Sequence, residues 1–488
     1  MYHSFIIYIF SFFIILSCSV LRPNTYLLKS NQDKASSYSN LIKSEELKKH
    51  LTIIASDEFE GRETTTLGQK KAASYIKEHF IKSNISFPTN TSTYFQEFMV
   101  EVSDFSNVEL KINDTTLKFI NDFYSFGTPI NTPETSSNII NAGYGITNKH
   151  NDDYKNINVK GATVLLKRGI PENTNYQTRD GSWRNKVSTA AKNGAVAVVF
   201  FQEDYDNSDI RIKEFLKYPI MKMHSNQNAK PHLPVFIVKE EILNNFTKDS
   251  LYISFSTNVS KSMPAENVLG FIEGKTDEII VISAHYDHIG YNNGEICNGA
   301  DDDGSGTSAL LEIAKTFQIA VSSGEKPERG ILFLAVSGEE KGLFGSQYYT
   351  DNPVFPLAQT IVDLNIDMVG RQDTIQKNSN YIYLIGSDRI SKELHHISEQ
   401  INKKHIKFNL DYTYNEKNDP NRFYERSDHY NFAKNNIPVI FYFGGLHEDY
   451  HKPTDTVDKI DFEKLEKVTK YVFLTAWELA YRKDKIKK

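Results

Sequence analysis

Five short runs in the second half of the chain constrain the fold more than any other feature: Ile279 to Ala284, Ile331 to Val336, Ile361 to Ile366, Tyr381 to Ile385 and Val439 to Phe443. They are rich in β-branched and aromatic residues and lack the apolar-polar alternation of a half-exposed strand, so each reads as a strand buried on both faces. Strands of that kind need helices on either side. Amphipathic segments at Thr307 to Ile319 and Ile390 to Ile401, preceded by Ser, Gly or Asp start signals, provide them. The expected fold is α/β, with three α/β/α layers around a mixed, mostly parallel sheet.

The chain has 488 residues, enough for two or three domains. Helical periodicity runs from Ser44 to about Ile81, first through Leu47, Leu51 and Ile54, then, after a turn at Gly61, through Ala72, Tyr75, Ile76 and Phe80. A β-prone run, Phe98 to Val102, follows, and an Asn- and Thr-rich break at Asn131 to Ser137 marks a boundary. Beyond it, the strands Ala162 to Leu166, Val196 to Phe201 and Leu233 to Val238 surround a helix-like segment, Lys186 to Asn193. The expected organisation is 41–130 as the N-terminal part of the main domain, 131–260 as a small β-rich insert, and 261–488 as the remainder of the main domain.

Composition excludes several classes. Hydrophobic residues at 39% and charged residues at 24% fit neither wholesale disorder nor a polytopic membrane protein. With 62 Asp and Glu against 56 Lys and Arg, the formal charge of -6 argues against a sequence-independent grip on nucleic acid. Phe5 to Leu16 is an apolar run typical of a secretory signal, and Ile15-Leu16-Ser17-Cys18 resembles a bacterial lipoprotein box. Residues 1–18 therefore read as an export signal and 19–40 as a flexible tether. The product is expected to be secreted, or anchored to a membrane through an acylated Cys18. Cys297 then remains without a disulfide partner and is expected to be a small packed residue.

Polar residues gather beyond the carboxyl ends of the buried strands, where open α/β sheets bind ligands. His285-Tyr286-Asp287-His288 follows the first run, and Asn298-Gly299-Ala300-Asp301-Asp302-Asp303 lies in the next loop. Glu339-Glu340 follows the second run, Asp367 ends the third, and Glu448-Asp449-Tyr450-His451 follows the last. So many carboxylates in one crevice cannot all stay ionised without a counter-charge, and a divalent cation removes the conflict. Imidazole and carboxylate donors without thiolate suit zinc, with cobalt or manganese also compatible. Two ions sharing a bridging carboxylate fit better than one, which five ligands would close to substrate.

His285-Tyr286-Asp287, Gly299-Ala300-Asp301-Asp302, Glu339-Glu340, Asp367 within Asn365-Ile366-Asp367-Met368, and Tyr450-His451-Lys452-Pro453-Thr454-Asp455 resemble, in order, the motifs of the M28 family of di-zinc exopeptidases. The segment from Val159-Lys160-Gly161 through Lys167-Arg168-Gly169 and Ala190-Ala191 to Gly194-Ala195 resembles a protease-associated (PA) domain, which implies a module that shapes the cleft without chemistry of its own. The M28 resemblance implies that Asp301 bridges two Zn2+ ions, with His285 and Asp367 completing one site and Glu340 and His451 the other. It further implies that Glu339 is the general base acting on the metal-bridged water, that Asp287 fixes the tautomer of His285, and that Tyr450 donates to the oxyanion. His288 and the string Arg426-Ser427-Asp428-His429-Tyr430 are left open between substrate contact and loop structure.

The resulting expectation is a metal-dependent aminopeptidase acting on peptides. One alternative is a carboxypeptidase for acidic peptides, whose substrate carboxylate Arg371 or Arg426 would receive. Single-zinc glutaminyl cyclisation is disfavoured by a full two-metal ligand set. A receptor-like binding protein on the same fold would be expected to lack ligands or the base, and Glu339 is present.

Overall fold

The computed structural model describes residues 29–125, 127, 131–149, 151–172, 178–223, 233–244 and 252–488. The signal-like run and Cys18 lie outside the described residues. At the centre is a nine-stranded sheet in the order Asn409–Asp411, Tyr381–Ile385, Val439–Phe443, Thr360–Asp367, Thr276–His285, Arg329–Val336, Ser260–Ile272, Phe95–Ser103 and Ile220–Met223. Val439–Phe443, Thr360–Asp367, Thr276–His285 and Arg329–Val336 run parallel, and the flanking pairs are mostly antiparallel. All five apolar runs are strands, and burial on both faces explains why they lack alternation. Ile280 and Ile282 face the helices Ser44–Ile54, Gly306–Ser322 and Phe462–Tyr481, whereas Ile279 and Val281 face Tyr349 and Phe432 on the other side. Each fully buried side chain of this size contributes roughly 1.5–3 kcal/mol.

Register places the site. His285 lies opposite Val336, two residues before Gly338, and Asp367 lies opposite Phe443, so the polar segments after these strands emerge at one edge.

Two expectations are corrected. Residues Lys29–Ser39, within the expected tether, form a helix, in which Ala35 is buried and Tyr38 stacks on Trp477 with ring centroids 5.3 Å apart. The segment is held by tertiary contact with the helix Phe462–Tyr481, a source of order that its polar composition does not reveal. The insert's sheet also recruits strands from before residue 131. Its eight-stranded sheet takes in Val108–Ile112, Thr115–Thr116 and Phe123–Ser125, and the supposed break at Asn131 to Ser137 falls largely within the strand Thr132–Asn141. Ile112 pairs with Ile253, a contact between segments far apart in sequence. The insert leaves and re-enters the main domain through the antiparallel pair Phe95–Ser103 and Ser260–Ile272, and its own Ile220–Met223 returns to the edge of the central sheet. Among the described residues, no helix is long and apolar enough to cross a membrane.

Candidate metal centre

The loop 299–306 between the strand Thr276–His285 and the helix Gly306–Ser322 carries the central carboxylates. Asp302 has extended backbone (φ -101°, ψ 99°), and Asp301 and Asp302 project to opposite sides. Asp302 points into the crevice: its Oδ1 is 3.4 Å from His285 Nε2 and its Oδ2 3.2 Å from His451 Nε2. Asp301, expected to bridge the metals, turns the other way. Its Oδ1 accepts from the Gly370 N–H at 2.6 Å, and its Oδ2 is 3.4 Å from His447 Nε2. Three consecutive aspartates do not disclose which faces the crevice.

Around Asp302 the structure gathers the remaining ligand candidates. Asp367 Oδ1 is 3.4 Å from His285 Nε2, and Glu340 Oε2 is 3.0 Å from His451 Nε2. Glu339 Oε2 lies 4.0 Å from His285 Nε2. His288 is fully buried, with Nδ1 2.8 Å from Glu340 Oε1, and so belongs to the cluster that the sequence left open. Both His285 Nε2 and His451 Nε2 are buried without a hydrogen-bond partner, although carboxylate oxygens lie within 3.4 Å. Orphaned imidazole nitrogens aimed at a shared carboxylate fit a pair of cations between them.

The electrostatics are those of a site built for added positive charge. Burial opposes protonation of His285, yet Asp367 and Glu339 push its pKa well above the usual value. Burial likewise opposes charge on His451, but Asp302 and Glu340 raise it to about 10. Against burial and the repulsion of Asp302, the contacts with His288 and His451 lower Glu340 to about 2. Burial, reinforced by Glu340 and Asp367, raises Glu339 well above the carboxylate range despite the opposing effect of His285.

Supporting contacts orient these groups. His285 Nδ1 is 3.1 Å from the backbone carbonyl of Asp287, whereas the Asp287 carboxylate stands 3.8 Å away. That carboxylate instead accepts from Thr64 Oγ1 at 2.9 Å and from the Glu339 N–H at 3.2 Å, tying Glu339 to the segment that follows the His285 strand. Ser427 Oγ donates to Asp367 Oδ2 at 2.7 Å, which gives the Arg426 to Tyr430 string a positioning role. Tyr450 stacks on His451 with ring centroids 3.8 Å apart. Gly306 must be glycine, since a Cβ there would sit 2.4 Å from the Ile366 carbonyl.

Arg62, at a turn the sequence marked only as a helix break, is fully buried and donates to the carbonyls of Tyr286, Ile54, Asn298 and Gly299 at 2.7–2.9 Å. It staples the residues leading into Asp302. No local pattern announces such a role, because three of its four acceptors are backbone atoms more than two hundred residues away. Arg371 is committed to Asp449 at 2.9 Å, while Arg426 lines the crevice beside Tyr450. Cys297 is buried, as expected of a packed residue.

Two further His and Glu groups lie elsewhere. In the first, Lys315 holds Glu312 at 3.0 Å and Tyr75 holds His50 at 2.8 Å, so charge and hydrogen bonding are met without an ion. The second, His395, His396 and Glu399, lies along the single helix Lys392–Ile401.

Comparison with known proteins agrees with this geometry. Residues 267–476 match peptidase family M28 and residues 130–245 match the PA domain. The chain is 27% identical over 361 residues to aminopeptidase YwaD of Bacillus subtilis, covering 71% of this chain and 67% of that protein. It is 32% identical over 223 residues to a protein named probable leucine aminopeptidase from Arthroderma otae, covering 44% of this chain and 58% of that one. In fold it is similar to an aminopeptidase from Aneurinibacillus sp. strain AM-1, with a TM-score of 0.52, 20% identity and coverage of 93% of this chain and 98% of that one. BSAP, a zinc aminopeptidase from Bacillus subtilis, gives a TM-score of 0.51 at 20% identity, covering 92% and 98%. By these matches residues 267–476 are an M28 peptidase segment, with a PA domain ahead of it.

Proposed function

We propose that the protein is an aminopeptidase that removes the N-terminal residue of peptides with two zinc ions, one held by His285, Asp302 and Asp367 and the other by Asp302, Glu340 and His451. The observation that carries this reading is the pair of unpartnered nitrogens, His285 Nε2 and His451 Nε2, facing opposite oxygens of Asp302. When bound, the cations supply Lewis-acid polarisation of the scissile carbonyl and lower the pKa of the attacking water.

The protein's own groups do the rest. Glu339 takes a proton from the attacking water and passes it to the leaving amine; its raised pKa suits it to hold that proton between the two steps. Asp287 holds the Glu339 backbone in place. His288 braces Glu340 from the side opposite His451. Tyr450, at the crevice wall, donates to the developing oxyanion.

Substrate class follows from the walls. Met368, Phe423, Phe441, Phe443 and Leu446, which pack in one apolar cluster, line the crevice together with Asp302, Glu339 and Asp367. An apolar first side chain meets the former while the peptide's free α-amino group meets the carboxylates. The carboxypeptidase alternative loses one of its two candidate cations, since Arg371 is already paired. The apolar run Phe5 to Leu16 supports export, with Cys18 as the site of lipid attachment.

The deciding experiment assays the purified protein on free-amine aminoacyl chromogenic peptides and on N-blocked, C-terminally acidic ones, with and without chelator. Chelator-sensitive turnover of the free-amine set alone is expected. Turnover of the blocked set selects the carboxypeptidase, and none on either with zinc restored selects a binding protein.

A further inference from the structure

The crevice that the aminopeptidase reading assigns to the first side chain contains one feature which that reading does not use. Among the residues lining it, Arg426 is the only cation. Its guanidinium sits over the Phe423 ring, 4.8 Å from the centroid, and its Nη2 lies 3.4 Å from the Tyr450 hydroxyl. The neighbouring carboxylate of Glu425 is engaged by Arg422, and among the described residues no carboxylate lies within ion-pair distance of Arg426. The aromatic contacts therefore fix a charge at the rim without neutralising it. The backbone adds to the constraint: Ser427, the next residue, is anchored to Asp367 and to Asn365, so the start of the Arg426 side chain is tied to the floor of the site.

The same crevice carries three carboxylates, Asp302, Glu339 and Asp367. Those carboxylates would draw in a lysine or arginine side chain as readily as an α-amino group. With dications in place most of that negative charge is cancelled, and the charge remaining along the side-chain path is that of Arg426. We propose that Arg426 is a specificity-determining residue that turns away basic first residues, while apolar, aromatic and acidic ones enter. This inference rests on the aminopeptidase reading and deepens it.

A lysine side chain entering the crevice brings its ammonium toward the guanidinium, a repulsion that solvent screens in part because Arg426 is exposed. A discrimination of about tenfold against lysine relative to leucine is the scale expected at such a partly exposed site. An aromatic side chain instead meets the guanidinium favourably.

The test measures kcat/KM of the zinc-loaded full chain on leucyl, phenylalanyl, glutamyl and lysyl chromogenic amides. Arg426→Gln should raise the lysyl-to-leucyl ratio by about tenfold, Arg426→Glu should raise it further and depress glutamyl turnover, and Arg426→Lys should hold the wild-type ratio. The wild-type ratio should also rise with added salt, a response that a purely structural role would not produce and that needs no variant to fold. If the wild type cleaves leucyl amide but neither charge substitution nor salt moves the ratio, the role of Arg426 is overturned and the aminopeptidase reading stands. If the wild type with zinc restored cleaves none of the four, the aminopeptidase reading falls and this inference falls with it.

Discussion

The central sheet and the inserted sheet treat buried charge in opposite ways. Beyond the carboxyl ends of the central strands, His285, Asp287, His288, Asp302 and Asp303 lie within a few residues of one another in space or sequence, and all are at most 3% exposed. In the insert, the buried charged side chains among the described residues are two lysines, Lys186 and Lys213. Each ammonium donates to two backbone carbonyls, those of Lys167 and Gly169 for Lys186 and those of Tyr205 and Asp206 for Lys213. Charge in the insert thus satisfies its own chain. Charge in the centre is left in excess and open to something from outside, as a chemical site requires and a structural one avoids.

The largest expected effect breaks the centre chemically. Glu339→Gln should lower kcat by about a thousandfold with zinc content by elemental analysis unchanged. Equal loss of metal would show that Glu339 is a ligand rather than the base. Next comes the contrast between neighbours. Asp302→Asn should weaken zinc binding by more than about a hundredfold, whereas Asp301→Asn, at a side chain that meets Gly370 and His447, should cost at most the roughly 10–100-fold typical of a supporting contact. Competition with a coloured chelator reads both, and a reversed order would restore Asp301 as the bridge.

The two kinds of buried cation differ in stability. Arg62→Met removes a donor from four carbonyls and should destabilise the main domain by about 3–5 kcal/mol. Lys186→Met strands two and should cost the insert about 1–3 kcal/mol. The chain has two tryptophans, Trp183 in the insert and Trp477 in the main domain, so fluorescence-monitored denaturation of single-tryptophan variants separates the two losses.

The smallest effect is a pH dependence confined to the insert. Burial lowers the Lys186 pKa to about 8. The unfolded chain therefore binds more protons than the folded one between about pH 8 and the ordinary lysine value, and insert stability should rise with pH across that window. Trp183-monitored unfolding should show the rise in the wild type and not in Lys186→Met. Arg62 offers no such window, since a guanidinium does not release its proton in this range.

How much was legible follows from which interactions are local. The five core strands could be read directly because burial on both faces removes polar residues from the run itself. The recruitment of Val108–Ile112 to the insert's sheet could not, because it comes about only by pairing with Tyr252–Thr257. The helix Lys29–Ser39 was hidden for a related reason: Ala35 and Tyr38 find their apolar partners on the helix Phe462–Tyr481.

By itself the sequence determined the layer architecture, the order of the polar segments and the donor types at the crevice, because strand burial and ligand chemistry are written in residue identity. Only the tertiary structure decided that Asp302 and not Asp301 faces both imidazoles, that His288 joins Glu340, and that Arg62 holds the loop between them. Those outcomes depend on the direction in which a backbone turns each side chain and on acceptors hundreds of residues distant, and neither is encoded in the spacing of letters along the chain.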